Sequence, residues 1–117
     1  MRNFKELKIW QKGFEIAVET YKLTETFPAT EKFSLTQQAT RSAVSIPSNI
    51  AEGSSRFSEK DYKRFIEISL GSSFELETQL LIAKAVNFGN TNILNSVLSK
   101  IDEEQKMLIA FSNKLIS

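Results

Sequence analysis

The chain contains no cysteine and no histidine. Without cysteine there is no disulfide frame, no thiolate nucleophile and no thiolate metal site. Without histidine the chain lacks the commonest metal ligand and the commonest general base near neutral pH. Di-iron bundles built on Glu-x-x-His pairs are excluded on the same ground. A G-x-x-x-x-G-K phosphate loop is also missing. Glu75 and Glu77 stand two apart on an expected helix and point in different directions, which does not suit paired-carboxylate catalysis. The acidic run Asp102-Glu103-Glu104 reads as a solvated helix face. No enzyme, cofactor or metal is therefore expected. The N-terminal run MRNFKELKIWQKG has no long apolar segment, so neither a signal peptide nor a membrane anchor is read there. The expected compartment is the cytoplasm, and no membrane partner is expected. Net charge is small as well. Fifteen basic residues stand against 14 acidic ones, for +1, so any nucleic-acid binding must come from where the charges lie.

What is present is helical periodicity. The 117 residues are one domain's worth, 41% apolar and 25% charged. In the first segment Leu7, Trp10, Phe14, Ala17, Tyr21 and Thr24 recur at helical steps, predicting a helix over 4–26 that Pro28 ends. A second helix is expected over 30–54, with Thr30 as its N-cap and Gly53 as its stop. Ser58 followed three residues on by Asp61 starts a third, over 58–88, closed by Gly89-Asn90. Leu94, Leu98, Ile101, Gln105, Leu108, Ser112 and Leu115 form the seam of a fourth, over 91–116. No stretch alternates with a period of two, so no strand is expected. Short loops between long helices imply antiparallel neighbours. The fold class is all-α, a single antiparallel up-down-up-down four-helix bundle over residues 1–117.

Two helices carry more than one bundle uses. On the third, Tyr62, Phe65, Ile66, Ser69, Ser73, Leu76, Leu80 and Ala83 share one face. Leu70, Phe74, Leu81, Ala85 and Phe88 lie on another, and Ile68, Ile82 and Val86 on a third. Such a helix is either set in a wide core with scattered surface apolar residues or shared with a second chain. On the second helix, Leu35, Ala39, Ala43, Ile46 and Ile50 form a core side. Gln38, Arg41, Ser42, Ser45, Asn49 and Glu52 form a separate polar stripe about 100° away. Pro47 interrupts the ladder between them, at a cost of about 3 kcal/mol, and is expected to bend the helix around something. The stripe suits a bent helix whose polar groups are satisfied on a neighbour, or a surface that meets a ligand. Arg41, Ser42, Ser45, Asn49 and Glu52, with Leu70, Phe74, Leu81, Ala85 and Phe88, are the candidate oligomer interface. Gly71, beside Ser72, is read as a close helix approach.

The run RSAVSIPSNIAEG, preceded by LKIWQKG and FPATEKFSLTQQ and followed by SRFSEKDYKRFIEISLGSSFELETQL, resembles the four-helix-bundle family of 23S ribosomal RNA intervening-sequence proteins. The resemblance runs from residue 4 to about 110. The chain is more distantly similar to the accessory variability determinant proteins of diversity-generating retroelements. The resemblance implies a homo-oligomeric ring, a pentamer, with nucleic acid as a suspected ligand. Through the retroelement relatives it also implies a partner protein such as a reverse transcriptase. Those relatives are basic, and the +1 charge here departs from them. The family supplies no catalytic residue to transfer.

The expected topology polarises the charge. One end of the bundle collects Arg2, Lys5, Lys8 and Lys12 from the first helix and Arg56, Lys60, Lys63 and Arg64 around the start of the third, with Lys106 and Lys114 from the fourth, against Glu6, Glu52, Glu59, Asp61 and Glu67. The other end collects Glu19, Glu25, Glu31, Glu75 and Glu77 against Lys22, Lys32 and Lys84. The first eight cations are the candidate nucleic-acid contacts, acting on phosphates without reading sequence. Trp10, Phe57 and Tyr62 lie near them as candidates for stacking on unpaired bases, although Trp10 and Tyr62 also sit on core seams. The alternative is a solvated, self-paired face. Two roles follow: a binder of structured RNA or DNA, alone or in a ribonucleoprotein, and a protein-interaction scaffold with no nucleic-acid role.

Overall fold

The structure, a computed structural model, describes residues 2–115. Among them there are four α-helices and no strand: α1 (Lys8–Thr24), α2 (Leu35–Ser54), α3 (Glu59–Ala85) and α4 (Thr91–Asn113). Each helix packs on two others, α1 and α3 both touching α2 and α4, while the diagonal pairs stay apart. Neighbours run antiparallel. Arg2, just before α1, bonds to Ser54 and Arg56 at the end of α2. Tyr62, early in α3, meets Phe111, late in α4, with ring centroids 5.6 Å apart. At the other end Phe27, after α1, meets Phe88, after α3, at 6.3 Å. The result is a four-helix bundle of 43 × 23 × 21 Å.

The helix ends differ from the sequence expectation in ways that have local causes. Residues 4–6 form a 3-10 turn instead of the first turn of α1, with Asn3 Oδ1 accepting from the Lys5 N–H at 3.2 Å. Thr30 is not an N-cap; it sits inside a second 3-10 turn, Ala29–Glu31, and α2 starts only at Leu35. The Leu35 N–H points to Glu31 Oε1 at 3.4 Å. Ser58 does cap α3, accepting from the Asp61 N–H at 3.1 Å. That helix stops at Ala85, three residues short of Phe88. Its terminator is Asn87 in the left-handed region, φ 60°, with the Phe88 N–H on the Ala83 carbonyl (2.8 Å) and the Asn87 N–H on that of Lys84 (3.2 Å). These two bonds are the Schellman pattern, which satisfies carbonyls a helix end would otherwise orphan. Asn90 Oδ1 then caps α4 through the Ile93 N–H at 3.0 Å. The expected end of the fourth helix at Ile116 lies outside the described residues.

The core confirms the expected faces of α2, α3 and α4 and only part of that of α1. Ala39, Ala43, Ile46 and Ile50 are buried, and so are Tyr62, Phe65, Ile66, Leu76 and Leu80, with Leu94, Ile101 and Leu108 of α4. In α1 Ala17 and Thr24 of the expected seam are buried, but the other buried residues, Ile9, Gly13, Ile16, Thr20 and Leu23, lie one residue behind it. Phe14 and Tyr21, expected inside, are about half exposed, at 51% and 52%. The physical reason is the approach of α2 and α4. A β-carbon on Gly13 would stand 3.1 Å from Ile46 Cγ2 and 3.0 Å from Glu104 Oε2. No aromatic side chain fits on that face. No helix among the described residues is long and apolar enough to cross a membrane.

Candidate functional site

The basic end of the bundle is assembled around the α2–α3 turn. The C-terminal carbonyls of α2 have no helical partner of their own. Arg2 reaches across to two of the carbonyls at this end, Nη1 donating to Ser54 O at 3.2 Å and to Arg56 O at 2.6 Å. Its guanidinium carbon lies 4.6 Å from the centroid of the Tyr62 ring. Arg2 is thus a clasp between the N-terminal segment, α2 and α3. Burial pushes the Tyr62 hydroxyl above its ordinary pKa, and the nearby Arg2 charge works the other way. Gln11 Nε2 ties the N-terminal segment back by donating to the Lys5 carbonyl at 2.9 Å.

Phe65 organises two more cations. The guanidinium carbons of Arg56 and Arg64 lie 4.7 and 5.1 Å from its ring centroid. Arg56 also approaches Glu52 at 3.9 Å. Lys60, Lys63 and Arg64 follow at helical spacing along the first turns of α3, and none of them forms an ion pair among the described residues. The positive end of the α3 dipole adds to their field. Other expected members are engaged elsewhere: Lys12 pairs with Glu103 at 3.5 Å, and Lys106 with Asp102 at 3.1 Å. Lys5 and Lys8 are exposed.

Of the three aromatic candidates, only Phe57 is presented. Tyr62 is buried. Trp10 is half-buried, its ring 5.3 Å from Phe4 and 5.2 Å from Phe14. Phe57, at the apex of the turn, is 104% exposed and lines an open recess of about 580 Å³ with Arg2, Ser54, Ser55 and Arg56. A fully solvated phenylalanine beside the guanidinium groups of Arg2 and Arg56 can stack on a flat π-face while cations of this end hold phosphates.

The residues expected at an oligomer interface divide into two groups. The polar stripe of α2 is turned onto α3 of the same chain. Ser42 Oγ bonds to Glu75 Oε1 at 3.0 Å, Ser45 Oγ to Ser72 Oγ at 2.7 Å, and Asn49 Nδ2 to the Ser45 carbonyl and hydroxyl at 2.8 Å each. Arg41 and Glu52, at its edges, are exposed. The stripe is therefore satisfied on a neighbouring helix, and α2 runs through Pro47 within that packing. On α3, Leu70 is half-buried against the core, and Phe88 after it packs on Phe27. Phe74 and Leu81 are each 49% exposed, and Ala85, Ile68, Ile82 and Val86 are exposed as well. A second apolar surface includes Phe14 and Val18 of α1 and Val44 of α2, all exposed, with Phe14 and Val44 lining one recess.

Two expectations are corrected. Gly71 does not mark a helix approach: nothing lies within 4 Å of where its β-carbon would be. Glu104 is not solvated: it is wholly buried, and neither carboxyl oxygen has a hydrogen-bond partner. The 4-3-4 steps Val97, Ile101, Glu104, Leu108 carry the signal that would have placed it inside.

Fold and site together define a short-looped antiparallel helical bundle with one basic, aromatic-tipped end and two unpaired apolar faces. The model of the 23S rRNA-intervening sequence protein family matches residues 5–110, and the chain belongs to that family. It is similar to a crystal structure from Bacteroides thetaiotaomicron described as a protein of unknown function from the S23 ribosomal protein family. That match has 25% identity, a TM-score of 0.79, and covers 89% of this chain and 97% of the other. No curated protein matches the chain.

Proposed function

We propose that the chain is a non-enzymatic, cytoplasmic bundle that assembles into a closed homo-oligomer and binds structured RNA or DNA through the basic end of each subunit. The observation that carries the binding is the run Lys60, Lys63 and Arg64, none of them in an ion pair among the described residues, close in sequence to the fully exposed Phe57. Contacts of this kind go to phosphates and to stacked, unpaired bases, so the binding is indifferent to sequence. Assembly is supported by the two apolar faces. They lie on the diagonal helices α1 and α3, hence on opposite sides of the bundle, and they differ in composition. Two unlike faces pair head to tail, which closes into a ring when the rotation per subunit allows it. Five subunits is the number the family resemblance suggests. In such a ring the basic ends gather on one rim.

A labelled RNA hairpin followed by fluorescence anisotropy tests the reading. Affinity is expected to fall steeply between about 50 and 200 mM salt. Reversing Lys60, Lys63 and Arg64 to glutamate removes about three phosphate contacts and should flatten the salt slope by about two to three. Phe57→Ala should weaken binding to unpaired loops by about 1–3 kcal/mol. RNA binding that ignores both salt and the charge reversal overturns the role given to this end, and no RNA binding even at low salt favours the second reading, a scaffold that uses its apolar faces to hold another protein. The near-balanced overall charge supports that reading.

A further inference from the structure

We propose that Glu104 is a proton-binding centre in the bundle core, and that losing its proton loosens the contact of α1 with α2 and α4 around Gly13 and Pro47. Glu104 projects from the middle of α4 with no exposed surface, and both oxygens lack partners. Its Oε2 would stand 3.0 Å from a β-carbon on Gly13. The same β-carbon would be 3.4 Å from Pro47 N, so the carboxyl tip lies where α1 crosses the proline of α2.

The chemistry of that spot favours a neutral acid. An ionised carboxylate only accepts hydrogen bonds, and no donor reaches this one. A protonated carboxyl carries one O–H. Pro47 has no N–H, so the Ala43 carbonyl one turn back has lost its helical donor. A neutral Glu104 buries a polar group without a partner, whereas an ionised Glu104 is a buried, unpaired charge and costs far more. Burial pushes the carboxyl up to about 8, against the pull of Lys12.

The surrounding charges are otherwise committed. On α1, Lys12 is held by Glu103, while Glu15 and Glu19 are held by Lys100 of α4. On α4, Asp102 pairs with Lys106. From α3, Ser69 donates to the Ile46 carbonyl, Ser73 to that of Leu70, and Glu77 accepts from Gln105. From α2, Ile46 and Pro47 bring no charge, and Arg41 and Glu52 are exposed. On deprotonation the carboxylate competes with Glu103 for Lys12 and needs water, and α1 at Gly13 is what stands in the way. The folded pKa lies above the unfolded 4.5, so the folded state keeps a proton that the unfolded chain has released. Stability is therefore full below about 4.5, falls as pH rises through the window up to about 8, and levels above it.

The parent protein labelled with 13C-glutamate tests this directly. The Glu104 carboxyl carbon, assigned through bonds, should titrate near 8. Denaturant unfolding should show the folding constant dropping by up to about tenfold per pH unit inside the window, with Glu104→Gln nearly flat there. Lys12→Met should move the titration higher. Amide exchange around Gly13, measured against Glu104→Gln at each pH, should speed up above pH 8 in the parent alone. A Glu104 signal titrating in the ordinary carboxylate range, or a Glu104→Gln variant with the parent's pH slope, overturns the proposal.

Discussion

Two glycines inside helices offer a matched test of how the basic end is held. Gly53 lies one residue from the end of α2, and Gly71 lies in the middle of α3. A β-carbon on Gly53 would be 2.8 Å from Phe65 Cβ, 3.1 Å from Tyr62 Cδ1 and 3.3 Å from the Tyr62 carbonyl oxygen. Carbon atoms in contact rest about 3.5–4.0 Å apart, so α2 and α3 would have to separate by roughly 1 Å. Phe65 Cβ is one bond from its backbone and cannot swing aside. Overpacking of this kind costs about 1–3 kcal/mol. Against it stands the helix preference for alanine over glycine, about 1 kcal/mol in a helix interior and less near an end. Overlap wins, and Gly53→Ala should destabilise by up to about 2 kcal/mol. At Gly71 the overlap is absent, the gain stands alone, and Gly71→Ala should stabilise by about 1 kcal/mol. Denaturant unfolding at one fixed protein concentration reads both, since assembly would otherwise shift the midpoint. Gly53→Ala should also weaken RNA binding, because the rings of Tyr62 and Phe65 that it displaces seat Arg2, Arg56 and Arg64. Equal stability of the two variants would refute the claim that Gly53 sets the α2–α3 distance.

The α3–α4 turn makes a second pair. Gly89 has φ +85° and its missing β-carbon would be 2.7 Å from Phe27 Cε1, so Gly89→Ala should cost about 2–4 kcal/mol by strain and overlap together. Asn87→Gly, at φ 60°, should leave stability unchanged or raise it by a few tenths of a kcal/mol, and thermal unfolding distinguishes the two. For assembly, Phe74→Glu on one apolar face and Phe14→Glu on the other should each lower the native mass seen by sedimentation. An unchanged mass in both variants would show that copies meet elsewhere.

Helix number, order and class were legible because every segment keeps a helical apolar period and Pro28, Gly53 and Gly89-Asn90 punctuate the chain between them. The seam of α1 was not, for a definite reason. Trp10, Phe14, Ala17, Tyr21 and Thr24 keep the same spacing as Ile9, Gly13, Ile16, Thr20 and Leu23, so periodicity cannot choose between them. Side-chain size favours the first set, and the close approach of Ile46 and Glu104 at Gly13 selects the second. The basic end was readable from topology and charge, but division of labour within it was not. That Arg2 caps α2 while Lys60 and Lys63 form no ion pair among the described residues depends on side-chain reach across elements far apart in the chain.

The polar stripe of α2 and its proline belong to one packing problem. Helices approach closely where their facing side chains are small, and serines keep the approach close without leaving polar atoms dry. Ser42 and Ser45 on α2 meet Glu75 and Ser72 on α3, and Ser69 donates to the Ile46 carbonyl at 2.8 Å. One face of α2 is thus joined to α3 by hydrogen bonds, and its far side at Pro47 meets the bare backbone of Gly13. Pro47 leaves the Ala43 carbonyl without its helical donor. Proline, serine stripe, glycine and buried acid are then parts of a single junction between all four helices. It follows that Gly13→Ala and Glu104→Gln should couple. The first pushes on Glu104 Oε2 from 3.0 Å, and the second changes what it pushes against. Their combined effect on stability should depart from the sum of the singles by more than the roughly 0.5 kcal/mol typical of independent sites. Additive behaviour would mean that the junction is a set of separate contacts.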